Sequence, residues 1–210
     1  TMLDFVALDF ETANKYKNSA CSLAVITVEN GQITKKAYSL IKPPFMSFDP
    51  ECIEIHGIEP NEVIHEKTFD QLWPTIYENH LKGKIMIAHN AKFDMNVLRA
   101  TLDYYKIPWP ELDYACTVKI SRAVWPDLVN HKLNTMAAYL GVEFKHHYAL
   151  DDAETCAKVA IEAARLKGAN SLPELLSKTG VPLEPFIDEK NKAAQAELHK
   201  APEPEQMSFF

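Results

Sequence analysis

The run Phe5-Val6-Ala7-Leu8-Asp9-Phe10-Glu11-Thr12 constrains this chain more than any other segment. Its apolar start reads as a buried strand, and residues two apart on a strand point to the same face. Asp9 and Glu11 therefore share one small volume at the strand's end, with side chains that start roughly 6 to 7 Å apart. Both ionised, they repel each other, and a divalent cation between them relieves that repulsion. Taken alone, the pair is better read as a strand that reaches solvent at Asp9; what changes the reading lies downstream.

The second segment, Ile85-Met86-Ile87-Ala88-His89-Asn90-Ala91-Lys92-Phe93-Asp94, is an apolar strand that turns polar and then helical, with Asp94 in the first helical turn. There the positive end of the helix dipole tolerates a carboxylate, which is also the ordinary structural reason for an acid at that place. The third, His147-Tyr148-Ala149-Leu150-Asp151-Asp152-Ala153, opens a helix with a small apolar stripe at Ala153, Ala157, Ala160 and Ala164. A histidine five residues ahead of an acid at a helix start can put imidazole and carboxylate into one cleft. Carboxylates and a histidine drawn from distant parts of the chain are what metal-assisted phosphodiester hydrolysis needs. Hard oxygen ligands hold the cations, and an imidazole with an ordinary pKa near 6.5 takes the proton of the attacking water.

These segments, in this order, resemble the DEDDh group of 3'-5' exonucleases, typified by the proofreading epsilon subunit of bacterial DNA polymerase III. Each motif alone is weak, but the ordered set is specific. With Ile55-His56-Gly57-Ile58 and the run from His131 to Gly141, the resemblance covers approximately residues 3 to 167. It implies that Asp9, Glu11 and Asp152 hold one divalent cation, with Asp9 bridging to a second that Asp94 helps to hold. The ions would be Mg²⁺, with Mn²⁺ able to substitute, and His147 would be the general base. Thr12, Ile55, His56 and Phe93 occupy positions that pack around the terminal nucleotide, and Asn90 supports them. Phe93 could equally be core, and His56 a structural hydrogen-bonding residue.

His146 and Asp151 have the same spacing as His147 and Asp152. Neighbouring helical residues point about 100° apart, so only one of the two aspartates can face the metals. The alanines at 149 and 153 match the family only in the second register, which selects His147 and Asp152.

The resemblance implies a ribonuclease H-like α/β fold, a central mixed β-sheet flanked by helices. Pattern gives strands at 3–10 and 20–28, an Asn30-Gly31 hairpin into 32–41, and a strand at 84–88, the first three antiparallel. Helical periods fall at 68–81, 93–106, 117–124, 132–140 and 152–167. Residues 1–168 then form an exonuclease domain and 169–186 a short helical extension, which Ser171-Leu172-Pro173-Glu174 opens as a capping box. Residues 187–205 read as a linker with a lone helix at 193–200, because they are charged and poor in apolar residues.

Gln206, Met207, Phe209 and Phe210 follow that polar spacer. They resemble the short peptides by which bacterial polymerases and their exonuclease subunits dock on the sliding clamp. Apolar anchors would fill pockets while Gln206 bonds at the rim.

The 210 residues, 47% hydrophobic, suffice for one sizeable core. There is no apolar run of roughly 20 residues, and the start lacks a basic and then apolar leader, so a cytoplasmic protein with no membrane partner is expected. Cys21, Cys52, Cys116 and Cys156 make no ligand pairs and read as reduced thiols. The net charge of −7 argues against tight binding to a polyanion. A short single-stranded or frayed 3' end needs only a few cationic contacts, for which Lys92, Lys119, Arg122, Lys132, Lys145 and His146 are candidates although each alone reads as an ordinary solvated side chain, and a base stacked on an aromatic such as Phe93. The chain thus reads as a 3'-5' exonuclease acting on DNA in proofreading or repair, beside a clamp and a DNA polymerase. An exoribonuclease of the same group and a non-catalytic clamp- or nucleic-acid-binding module remain the alternatives.

Overall fold

A computed structural model describes residues 2–144 and 148–201. The apolar run forms β1 (Phe5–Thr12), and β2 (Ala20–Glu29) pairs with it antiparallel, from Phe5 opposite Val28 to Thr12 opposite Ala20. Asn30 and Gly31 take φ of 50° and 75°, the left-handed pair that a tight primed hairpin requires, and β3 (Gln32–Leu40) returns antiparallel to β2.

Three short helices follow: α1 (Pro50–His56), α2 (Pro60–Val63) and α3 (Phe69–Ile76), the last running on through a turn of π geometry at Tyr77–Leu81. The helix expected over 68–81 is α3 with that turn. Periodicity gives no sign of α1 or α2, because each is too short for a 3.6-residue pattern to show. Each starts with a proline at its first position, where a missing N–H costs nothing.

The remaining elements are β4 (Met86–Ala88), α4 (Ala91–Tyr104), β5 (Asp113–Cys116), α5 (Thr117–Val124), α6 (Leu133–Leu140), α7 (Ala149–Lys167), α8 (Leu172–Thr179), β6 (Glu184–Pro185) and α9 (Glu189–Leu198). The sheet runs β3-β2-β1-β4-β5-β6, with β4 parallel to both β1 and β5, and β6 antiparallel to β5. It is mixed and its first three strands are antiparallel, as expected, and β1 lies in its interior. β5 and β6 escape the sequence reading because they are four and two residues long, and only pairing with an existing strand makes them extended.

Alternation along β1 sorts two cores. Phe5 and Ala7 are buried together with α7, whereas Val6, Leu8 and Phe10 are buried with α3 and α4. The alanines at 153, 157, 160 and 164 are all buried, and their small size lets α7 lie close on β1 and β2. This helix starts one turn before the expected position 152, with the Asp152 N–H already bonded to the Tyr148 carbonyl at 3.0 Å. The Tyr38 ring of β3 rests 5.5 Å from that of Tyr148 and steadies the helix start.

Ser171 caps α8 as its sequence predicts, accepting the Glu174 N–H at 3.2 Å. The chain is then tied back to the sheet through Phe186, which is fully buried. The Arg99 guanidinium donates to the Phe186 carbonyl at 2.8 and 3.3 Å while packing over the rings of Phe186, Trp109 and Tyr114. α9 begins at Glu189 rather than 193 because Asp188 caps it, accepting the Asn191 N–H at 2.9 Å. It buries no residue, and its Gln195 side chain accepts the Trp109 N–H at 3.2 Å. All four cysteines are free. Among the described residues no helix is long and apolar enough to cross a membrane. Gln206, Met207, Phe209 and Phe210 lie outside the described residues.

Candidate active site

The carboxyl ends of the parallel strands β1, β4 and β5 meet at one edge of the sheet, where open α/β folds form their crevices. Asp9 and Glu11 continue the face of Phe5 and Ala7, the side that α7 covers. Opposite them on β2 stand Ala24 and Ser22, small residues that leave the space open. Asp152, in the first turns of α7, enters from above. One carboxylate oxygen each from Asp9, Glu11 and Asp152 lie within 4.8 Å of one another.

Beyond Glu11 the ladder with β2 slips, since Glu11 faces Ser22 but Thr12 faces Ala20, and Cys21 is left over. The His56 ring of α1 locks this end of the strand. Its Nε2 lies 3.0 Å from the Thr12 carbonyl, which can only accept, so Nε2 carries the proton and Nδ1 accepts the Ile58 N–H at 3.0 Å. Burial holds its pKa below the usual histidine value, in keeping with a neutral ring.

Asp94 arrives from the other side of the sheet. Asn90 adopts a left-handed conformation, φ 69° and ψ 60°, which turns the end of β4 sharply into α4. That turn brings Asp94 over the strand ends, where its Oδ1 accepts the Phe10 N–H at 2.9 Å, between the two acids of β1. The first turn of α4 is thereby fixed to β1.

Concentrating four acids here is electrostatically costly. Burial, then Asp94, Glu11 and Asp152, push the Asp9 carboxyl well above the usual carboxylate range. Burial, with Asp152 and Asp94 adding to it, raises Glu11 to about 8. Burial raises Asp94 to about 7, opposed by the hydrogen bond from Phe10. Asp9 Oδ2 is buried and accepts no hydrogen bond among the described residues. Clustered hard oxygen donors, a buried acceptor atom left over and mutual repulsion together suit a divalent cation.

Of the expected site residues, the structure brings Asp9, Glu11, Asp94 and Asp152 together. His147 lies outside the described residues. Asp151 instead lines a neighbouring cavity with Leu140, Glu154 and Lys158. Thr12 and His56 share the hydrogen bond at the end of β1, Ile55 is 51% exposed, and Asn90 stands at the exposed corner before α4. Phe93 is partly buried, with the Lys17 ammonium 4.5 Å from its ring centroid.

Sequence reasoning assigned no role to His89, whose Nε2 donates to the His131 carbonyl at 2.6 Å while Nδ1 accepts from the Thr117 hydroxyl at 2.8 Å. Burial holds it neutral, with a pKa of about 4. The available signal was a histidine closing an apolar strand, which needs partners for both ring nitrogens.

Over residues 6–160 the sequence matches the family described as Exonuclease. It is 29% identical over 161 residues, 74% of its length, to DNA polymerase III PolC-type of Clostridium perfringens. Over 162 residues, 75% of its length, it is 28% identical to the 3'-5' exonuclease DinG of Bacillus subtilis. The chain spans only 11% and 17% of those two proteins. Exonuclease X, solved in complex with 5' overhanging duplex DNA, superposes with a TM-score of 0.67 at 22% identity, covering 84% of this chain and 99% of that one. The nuclease domain of 3'hExo, a DEDDh family member bound to rAMP, does so with a TM-score of 0.66 at 17% identity, over 77% and 92% of the respective chains. The fold is the ribonuclease H-like one they share.

Proposed function

The chain belongs to the Exonuclease family, and from that membership we propose that it is a metal-dependent 3'-5' exonuclease that releases nucleoside monophosphates from DNA. The observation that carries this reading is the convergence of Asp9, Glu11 and Asp152 within 4.8 Å, beside the buried Asp94. Asp9, Glu11 and Asp152 would hold one Mg²⁺, with Asp9 and Asp94 turned to a second, and Mn²⁺ would substitute. Bound there, the cations supply electrostatic stabilisation to the attacking and leaving oxygens of the phosphodiester.

The chain's own groups do the rest. His147, two residues ahead of α7 in sequence, receives the proton of the attacking water, since a neutral imidazole is available near pH 7. Thr12, Ile55 and Phe93 pack around the terminal nucleotide. His56 holds that wall in place through the backbone of Thr12 and Ile58, and Asn90 sets the corner that aims Asp94.

Matched 3'-labelled DNA and RNA single strands test the reading. Labelled mononucleotide is expected from DNA with Mg²⁺ or Mn²⁺ and none with chelator. Release from RNA alone would transfer the assignment to an exoribonuclease, and no release from either strand would leave a binding module.

A polymerase and its sliding clamp are the proposed partners, supported by the PolC-type relatives and by the pattern of Gln206, Met207, Phe209 and Phe210. Removing residues 206–210 is expected to abolish calorimetric binding to a bacterial clamp while leaving turnover of short oligonucleotides intact. Unaltered clamp affinity would dispose of the peptide's role.

A further inference from the structure

At the carboxyl ends of β4 and β5, on the side of the carboxylate cluster away from β2, a cavity of about 820 Å³ opens where α5 and α6 begin. Asn90, Lys119, Arg122, Asn130, Lys132 and Asn134 are among its lining residues, and no aspartate or glutamate lines it. In a chain with 29 acids against 22 lysines and arginines, a recess with three cations and no acid runs against the overall charge. Lys119, Arg122 and Lys132 are exposed, and none has an ion-pair partner among the described residues. Their charge is available to a ligand.

The recess is also built rather than incidental. His89 ties the end of β4 to the start of α5 and to the loop before α6, through Thr117 and the His131 carbonyl. The His131 ring donates to the Trp125 carbonyl at 2.7 Å, and Asn130 Oδ1 accepts the Lys132 N–H at 3.0 Å and the Thr135 hydroxyl at 2.6 Å. The loop that carries Asn130 and Lys132 is therefore held from several directions. Asn90 belongs both to the cavity wall and to the corner that sets Asp94, so the recess adjoins the reacting centre.

We propose that this cavity is a second binding site for the substrate strand, in which Lys119, Arg122 and Lys132 hold the phosphates of nucleotides 5' of the scissile bond. The inference rests on the exonuclease reading for the identity of its ligand. Of the residues assigned to the terminal nucleotide, Thr12 and Ile55 stand on the β1–α1 side of the carboxylates, and the Phe93 ring of α4 lies against Lys17 of the β1–β2 loop, which leaves the β4–β5 side for the strand that continues from it. Polyanion binding by an acidic protein needs its cations gathered in one place, and this recess gathers three.

The test compares the wild type with the triple variant Lys119→Ala, Arg122→Ala, Lys132→Ala on a single-nucleotide ester, p-nitrophenyl thymidine 5'-monophosphate, and on a DNA octamer. All three side chains are exposed, and circular dichroism checks that the variant folds. The octamer kcat/KM is expected to fall roughly 10- to 100-fold further than that of the ester. In octamer binding followed by fluorescence anisotropy with Ca²⁺, the slope of log affinity against log salt is expected to shrink by about 2, from three lost phosphate contacts at ~0.7 each on single strands. Equal losses on ester and octamer, or an unchanged salt slope, would overturn the site. If the wild type cleaves neither substrate yet binding keeps its dependence on these cations, the exonuclease reading fails and the cavity's ligand stands.

Discussion

Asp152→Asn lowers metal-dependent cleavage on the order of 10³-fold, whereas Asp151→Asn leaves it within a few-fold of wild type. The two residues are adjacent in sequence and identical in type, so only their directions from the helix distinguish them. Asp152 is 5% exposed and puts an oxygen within 4.8 Å of those of Asp9 and Glu11. Asp151 points into the neighbouring cavity, beside Glu154 and Lys158. An amide at 152 keeps the shape but removes the charge that a cation needs among its hard ligands. At 151 it removes a charge that faces away from the cluster. Turnover of a labelled strand at saturating Mg²⁺ reads the difference, and inactivation by Asp151→Asn with activity kept by Asp152→Asn would refute the assignment.

The metal-free protein loses stability as pH rises from about 4 to about 8, and saturating Mg²⁺ or Mn²⁺ reverses the trend. Glu11 titrates near 4.5 when unfolded and at about 8 when folded, Asp94 moves from 3.8 to about 7, and Asp9 moves in the same direction, all chiefly through burial. Between those values the folded state binds more protons than the unfolded chain, so each pH increment favours unfolding until the folded groups are themselves ionised. The native state thus retains its full relative stability only below the unfolded values. A cation that binds only the folded, deprotonated cluster restores what the acids cost.

Glu11→Gln removes one of these groups. It is expected to stabilise the metal-free protein at pH 8 by on the order of a few kcal/mol, read as a higher melting temperature in chelator, and to flatten the pH profile. The same variant gains little from Mg²⁺. Melting curves from pH 5 to 8, with chelator and with metal, check both statements. A metal-free Tm that stays level across that range would show that the cluster carries no such burden.

Most of the site could be read before the fold because its signals are local. Asp9 and Glu11 declare a shared face by spacing alone, Asp94 and Asp152 sit at helix starts, and the alanine stripe of α7 announces a close approach to a sheet. Asn30-Gly31 specifies its turn through the two left-handed conformations it tolerates. The elements that could not be read owe their form to neighbours. β5 and β6 are extended only because β4 and then β5 offer a ladder, α1 and α2 are too short for periodicity, and α9 starts where Asp188 happens to cap it.

By itself the sequence determined which residues carry charge, which faces of strand and helix they occupy, and the order in which the acidic segments follow one another. It did not determine that Asp94, carried by a helix on the far face of the sheet, would bond to the Phe10 N–H between the acids of β1. Nor did it reveal that Lys119, Arg122 and Lys132 would surround one recess free of acids. Both depend on which strand ends lie side by side and on how sharply Asn90 turns the chain. Proximity between residues far apart in sequence is fixed by sheet order and by the burial of both faces, quantities that belong to the packed structure rather than to any single segment.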